Sequence, residues 1–142
     1  MVEKLANFSR LLLGFSYLIN GVNWWWKILP YPSVLDPALA STPHFVQAMI
    51  DTGFLFDAIK VVEVTTGIMF LANRFVPLAL VVAFPVTVGI WAVDIGLLGM
   101  SLRAEVMGWS VLLLNAFLLF AYLESYKGLF AGRVVPGSYW DT

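Results

Sequence analysis

Apolar residues run along this chain in four long stretches, separated by short clusters of charge, proline and glycine. The first, residues 5–26, is broken only by Arg10. The second, residues 54–72, carries Asp57, Lys60 and Glu63. The third, residues 75–93, and the fourth, residues 106–123, carry no charge at all. None alternates with the short period of half-buried strands or of a membrane barrel. At 1.5 Å per residue, about 19–20 helical residues cover nearly the whole of a roughly 30 Å hydrocarbon core. Lipid offers no partner to open backbone groups, so spans of this kind are helices. The pattern predicts an all-α fold: one domain over residues 1–142, an integral membrane four-helix bundle.

The links between spans differ. Residues 27–53 form a long connection with Pro30, Pro32, Pro37 and Pro43. Within it, Thr42-Pro43 reads as a helix start, and Phe45/Met49 and Val46/Ile50 recur four residues apart. This predicts a short amphipathic helix at the membrane interface, residues 43–51. Asn73-Arg74 is the whole link between the second and third spans, so those helices must be antiparallel neighbours. Asp94 is expected to cap the third span and face water. Pro85 removes a donor and frees the Val81 carbonyl, which predicts a kink, either plain or lining a cavity. Thr87 could help satisfy the freed backbone. From Gly128 onward the tail reads as extended along the membrane surface.

Composition sharpens the class. The chain is 61% hydrophobic and 12% charged, against about 45–50% and about 25% for globular proteins. A domain this small buries only about 68–70% of its unfolded surface, so a water-soluble monomer is disfavoured. Eight Lys+Arg against nine Asp+Glu leave no basic footprint, and no nucleic acid partner is expected. With no cysteine, the chain cannot supply disulfides, iron–sulfur ligands or thiol chemistry. Its one histidine, His44, is expected to be solvated or at a helix start, and no metal site is predicted. The apolar run Leu11 to Ile19 follows Lys4 and Arg10 but precedes no small-residue cleavage site, so it reads as a retained span. Lys4, Arg10, Arg74, Lys127 and Arg133 fall on one side, and Lys27, Lys60 and Arg103 on the other. That bias predicts both termini in the cytoplasm.

Aromatic residues gather at both ends of the spans: Trp24, Trp25, Trp26 and Tyr31 at one, Tyr122, Tyr126, Tyr139 and Trp140 at the other. They form an interfacial belt, or else a face for a partner subunit or a quinone ring. Charge inside the spans is the strongest chemical signal, because a charge at mid-bilayer costs at least about 2.5 kcal/mol. Arg10, Gly14, Tyr17 and Gly21 lie on one face of the first helix. Asp57, Lys60, Glu63 and Gly67 lie on one face of the second. These faces are expected to meet, the three glycines allowing close approach. An Arg10–Glu63 pair, direct or through water, is expected, with Asn20 and Asn23 near the depth of Lys60 and Asp57. The set is either a polar network that fixes helix register, or a site for a ligand headgroup or a proton taken up by Glu63. Asn115 is expected to bond a neighbouring helix. No nucleophile–base set, phosphate loop or metal spacing occurs, so no catalytic residue is assigned and catalysis by this chain alone is not expected. No covalently bound cofactor is expected; a quinone or a lipid is the candidate ligand.

These residues also carry a resemblance. Arg10-Leu-Leu-Leu-Gly14-Phe-Ser-Tyr-Leu-Ile-Asn20-Gly21 resembles the first helix of the DoxX-like family. Val62-Glu63-Val-Thr-Thr-Gly67-Ile-Met-Phe-Leu71 resembles its second helix. Asn73-Arg74-Phe-Val-Pro77-Leu-Ala-Leu, with Pro85, resembles its short turn and third helix. The resemblance covers residues 8–125, and Arg10 and Glu63 fall on matching motif positions. It implies a small four-helix protein of the bacterial inner membrane. Some members of that family are the membrane subunit of a thiosulfate:quinone oxidoreductase, and others associate with redox or stress-response partners. The function expected is therefore an accessory or co-catalytic subunit of an inner-membrane redox complex, quinone-linked or electron-transferring, among other membrane subunits. The alternatives are a thiosulfate:quinone-type oxidoreductase subunit, and a small-molecule or proton transporter.

Overall fold

The computed structural model describes residues 1–28, 44–96, 102–130 and Gly132, and every regular element among them is helical. The order is α1 (Val2–Trp26), α2 (His44–Asp51), α3 (Leu55–Leu71), α4 (Val76–Gly96) and α5 (Leu102–Ala121), followed by a 3-10 helix, Leu123–Phe130. The four long helices share one core: Leu13 and Tyr17 from α1, Phe70 from α3, Ala79, Leu80 and Ala83 from α4, Val111 and Leu118 from α5. Around that core α1 packs on α3, α3 on α4, α4 on α5, and α5 returns to α1.

Local chemistry explains where the helices stop. Lys27 turns left-handed at φ 46° and donates its N–H to the Asn23 carbonyl at 3.0 Å, which closes α1. The α2–α3 corner is built on Thr52. Its hydroxyl donates to the Met49 carbonyl (2.7 Å) and accepts from the Leu55 N–H (3.0 Å), tying the end of one helix to the start of the next. Gly53 supplies the positive φ of 75° that this corner needs. The short helix expected over residues 43–51 forms as α2, His44–Asp51, with Val46 buried and Phe45 outward. Asn73 takes a left-handed φ of 52° in the α3–α4 turn, a conformation its short amide side chain tolerates.

Three glycines set how α1 and α3 meet. A Cβ at Gly67 would lie 2.8 Å from the Leu18 amide nitrogen. One at Gly21 would lie 2.6 Å from Val64, and one at Gly14 would touch Leu71 and Phe70 at 3.0 Å. The two backbones therefore approach closely, and Gly14 faces Leu71, Leu18 faces Gly67, and Gly21 faces Val64. Each step along α1 is matched by an equal step back along α3, so the helices are antiparallel in a fixed register.

Among the described residues, α4 alone is long and apolar enough to cross a membrane by itself, with a mean hydropathy of 2.2. A second candidate exists only if α5 and the following 3-10 helix, bent by 74°, count as one span. α3 falls short because it has 17 residues and carries Asp57, Lys60 and Glu63, and α1 because Arg10 with Asn7, Ser9, Ser16 and Asn20 lowers its mean hydropathy. Two sequence expectations change. Asp94 does not cap the third span: α4 continues through it to Gly96, and its half-buried side chain packs over Gly108 of α5, where the missing Cβ makes room. The chain after the fourth span does not run extended from Gly128: the 3-10 helix continues to Phe130, anchored by a Tyr126 hydroxyl that donates to the Pro77 carbonyl at 2.9 Å. The remainder of the expected tail lies outside the described residues.

Gly67→Ala tests the close approach. Its Cβ must displace backbone, and overpacking of this kind costs about 1–3 kcal/mol. Gly89 has open space around it, so Gly89→Ala should instead stabilise by up to about 1 kcal/mol through helix propensity. Thermal unfolding of the two variants in mild detergent should move in opposite directions.

Candidate functional site: a polar core between the helices

The polar residues of α1 and α3 turn inward, and the register decides which of them meet. Arg10 lies four residues before Gly14, so it is level with residue 75, in the turn just beyond the C-terminal end of α3. Glu63 is level with Val22. These two levels are twelve residues apart, about 18 Å at 1.5 Å per residue. The expected Arg10–Glu63 pair therefore does not form. Arg10 donates instead from Nη1 to the Phe70 carbonyl, one of the last carbonyls of α3, where a cation complements the negative end of the helix dipole.

Glu63 has another partner. Lys60 Nζ donates to both of its carboxylate oxygens, at 3.0 and 2.9 Å. Glu63 is 1% exposed and Lys60 6%. The ammonium also sits over the Phe56 ring, 5.1 Å from its centroid. Phe56 in turn meets Trp24 edge-on at 4.7 Å, and the Trp24 indole N–H donates to Asp57 Oδ1 at 2.6 Å. Asp57, Lys60 and Glu63 thus form one turn-by-turn ladder on α3, bridged to α1 through Trp24. Asn20 is half-buried and donates to the Ser16 carbonyl of its own helix (2.8 Å), and Asn23 is buried nearby on α1.

A second polar cluster ties three helices together. The Tyr17 hydroxyl of α1 bonds Thr87 Oγ1 of α4, and Asn115 Nδ2 of α5 donates to the same oxygen at 2.8 Å. Thr87 gives its own proton to the Ala83 carbonyl (3.0 Å). With that proton committed, Thr87 can only accept from the other two. Tyr17 is therefore the donor, and Asn115 turns its nitrogen inward. Asn115 Oδ1 is then left buried with no partner among the described residues. Tyr17 stacks on Phe70, with ring centroids 6.2 Å apart, which joins this cluster to the α1–α3 seam.

The sequence had placed Tyr17 on the Arg10 stripe and Asn115 against a neighbouring helix, but it had not joined them. Thr87 was expected to serve the backbone near Pro85, and it does bond Ala83, one turn back. Its service to Tyr17 and Asn115 depends on how α1 and α5 flank α4, which no short motif encodes. Pro85 itself faces outward in a helix that continues through it. Gly14, Gly21 and Gly67 lie at the α1–α3 seam as expected. Of the aromatic residues, Trp24 is drawn into the site, Trp25 and Trp26 are exposed, and Tyr139 and Trp140 lie outside the described residues. Among the described residues no group of His, Asp or Glu is arranged to hold a metal ion. No known protein family, curated protein or solved structure matches the chain.

Two comparisons between variants read this chemistry. Glu63→Gln strands the buried Lys60 ammonium and should cost about 3–5 kcal/mol, whereas the double change Lys60→Met, Glu63→Leu should recover most of the loss. Thr87→Val removes the acceptor of two buried donors at once. It should cost more than Tyr17→Phe, which removes only one donor, at about 1–3 kcal/mol per stranded group. Unfolding midpoints of the four proteins check both rankings.

Proposed function

We propose that this chain is a multi-pass integral membrane subunit in which α1, α3, α4 and α5 all cross the bilayer, and that it serves as a scaffold or accessory component of a larger assembly. One observation carries the reading: the bundle buries charged and polar side chains within its apolar core and turns large apolar side chains outward. Its buried side chains include Arg10, Lys60, Glu63, Thr66, Thr87 and Asn115. Its exposed ones include Phe8, Leu12 and Phe15 on α1, Val61 and Ile68 on α3, Val81, Phe84 and Val88 on α4, and Val106, Leu113 and Phe120 on α5. Water would penalise that outer surface, and contiguous apolar patches of this extent belong against lipid or other subunits. Trp25 and Trp26 fit a headgroup-level belt. The excess of Lys and Arg at the end holding Met1 fits an orientation with both termini in the cytoplasm.

Within this reading the polar core holds the helices in register. Both Glu63 oxygens are already committed to Lys60 inside the chain, which favours a structural role over turnover by Glu63. The resemblance of residues 8–125 to the DoxX-like family points further, to a bacterial inner-membrane redox assembly, quinone-linked or electron-transferring, in which the subunit is accessory or co-catalytic. Its partners would be the bilayer and other membrane subunits.

The absence of cysteine makes topology simple to read. Ile28→Cys and Arg74→Cys should react with a membrane-impermeant maleimide from opposite sides, in protein that resists carbonate extraction. Labelling of both from one side sinks the multi-pass reading. Gentle solubilisation of native membranes, a native gel and mass spectrometry of the band should then find redox subunits co-migrating. A lone small oligomer would overturn the accessory role.

A further inference from the structure

Among the described residues the bundle buries two cations, Arg10 and Lys60, and one anion, Glu63. Lys60 and Glu63 neutralise each other. Arg10 is only 7% exposed, and no described acidic group pairs with it. Its Nη1 donates to the Phe70 carbonyl, and its Nε has no partner among the described residues. That carbonyl also accepts the Asn73 N–H at 3.2 Å, so both of its lone pairs are in use and it offers Arg10 one contact only. The helix ends do not supply the missing charge. α3 ends at Leu71 and α4 begins at Val76, so the negative end of one dipole lies beside the positive end of the other and the two largely cancel. A buried charge without a counter-ion is strongly unfavourable. The Arg10 guanidinium therefore calls for an anion that this chain does not provide at that place.

We propose that Arg10, together with Arg74, binds a phosphate group, supplied by the headgroup of a phospholipid. The inference rests on the membrane-spanning reading above. Arg10 is level with the α3–α4 turn, and Arg74 is exposed in that turn. The acidic groups at this end are engaged or remote: Glu124 is exposed and paired with Lys127, and Glu3 is exposed two turns before Arg10 on α1. Two cations thus share one level, and neither has an acidic partner among the described residues. A turn this short between two spans marks the edge of the bilayer. Arg10 then lies at the depth of lipid phosphates, where basic pockets between helices recognise headgroups. Its planar fork of donors suits an oxyanion, to which charge-assisted hydrogen bonds are strong. Because Arg10 is already held by packing, binding costs it little rotamer freedom. The leaflet is the one that meets the α1 N-terminus, the cytoplasmic one in the proposed orientation.

The test strips the full-length protein of lipid in mild detergent and titrates it with three probes: phosphatidylglycerol, diacylglycerol with the same acyl chains, and inorganic phosphate. Native mass spectrometry counts what stays bound. The unaltered protein should hold phosphatidylglycerol about tenfold or more tightly than diacylglycerol. Arg10→Met should lose that preference, and it strands no partner because the Phe70 carbonyl keeps the Asn73 N–H. Arg74→Gln, a surface change, should weaken the preference too, and it decides the question if Arg10→Met does not fold. Lys4→Gln, which removes an exposed cation outside the site, should leave the preference in place. Equal retention of the two lipids by the unaltered protein, or a preference that survives both arginine changes, overturns the site and leaves the membrane reading intact. Inorganic phosphate that binds through Arg10 and displaces the lipid keeps the site and assigns it to free phosphate. Retention of neither lipid, by a protein that stays dispersed without detergent, overturns the site and the membrane reading together.

Discussion

The close approach of α1 and α3 is the contact on which the rest of the bundle depends. Gly67 admits the α1 backbone at a distance that no side chain would allow, and Gly14 and Gly21 repeat the device one turn to either side. Close packing of this kind is how helices associate where the surroundings are as apolar as they are, because burial alone then supplies little drive. The contact also acts as a ruler. By fixing which residue faces which, it carries Arg10 to the last carbonyls of α3 and leaves Glu63 to Lys60. It brings Trp24 over Asp57 and sets the Tyr17 ring beside Phe70. A slip of one turn would separate the three contacts between helices together: Arg10 with Phe70, Trp24 with Asp57, and Tyr17 with Phe70.

The two polar clusters do different work. The Lys60–Glu63 ladder lies along one helix and reaches α1 through Trp24. The Thr87 cluster lies across helices and joins α1, α4 and α5 at a single oxygen. An apolar surface can slide over another apolar surface at little cost, but an oxygen that accepts two buried donors defines one arrangement. The glycine seam therefore sets the α1–α3 pair, and Thr87 sets how the α4–α5 pair docks on it. Buried polar groups contribute specificity here at least as much as they contribute strength.

Much of this was legible along the chain. The helices follow the apolar stretches because their boundaries coincide with turn chemistry: Asn73 in a left-handed turn, Gly53 at a corner, charge at the ends. The α1–α3 seam was legible because glycines and charges recur at helical spacing on both partners. The Arg10–Glu63 expectation failed because periodicity gives the face of a residue and leaves its depth to the register, which depends on three-dimensional glycine contacts. Once Glu63 lacked Arg10, Lys60 was already three residues away on the same helix. Asp94 was misread as a cap because nothing local announces that Gly108 of a distant segment offers it space. The Thr87 cluster was invisible for the same reason: its members lie seventy and twenty-eight residues from Thr87, and each alone reads as an ordinary polar residue in an apolar run.

The placement of Lys60 and Glu63 three residues apart bears on how such a chain is made. Both partners belong to α3, so the pair closes as soon as that helix coils, before any neighbour is present. A lone charge at the centre of a helix raises its insertion cost by about 2.5–3.5 kcal/mol. A lysine and a glutamate already joined enter as one neutral dipole. In the proposed multi-pass arrangement, α3 would leave the translocation machinery as a self-contained unit and meet α1, which precedes it in the chain. Arg10 has no such companion within its own helix, and it gains its acceptor only when α3 arrives. In that arrangement one helix carries its ion pair within itself and the other is completed by its neighbour, which gives assembly an order.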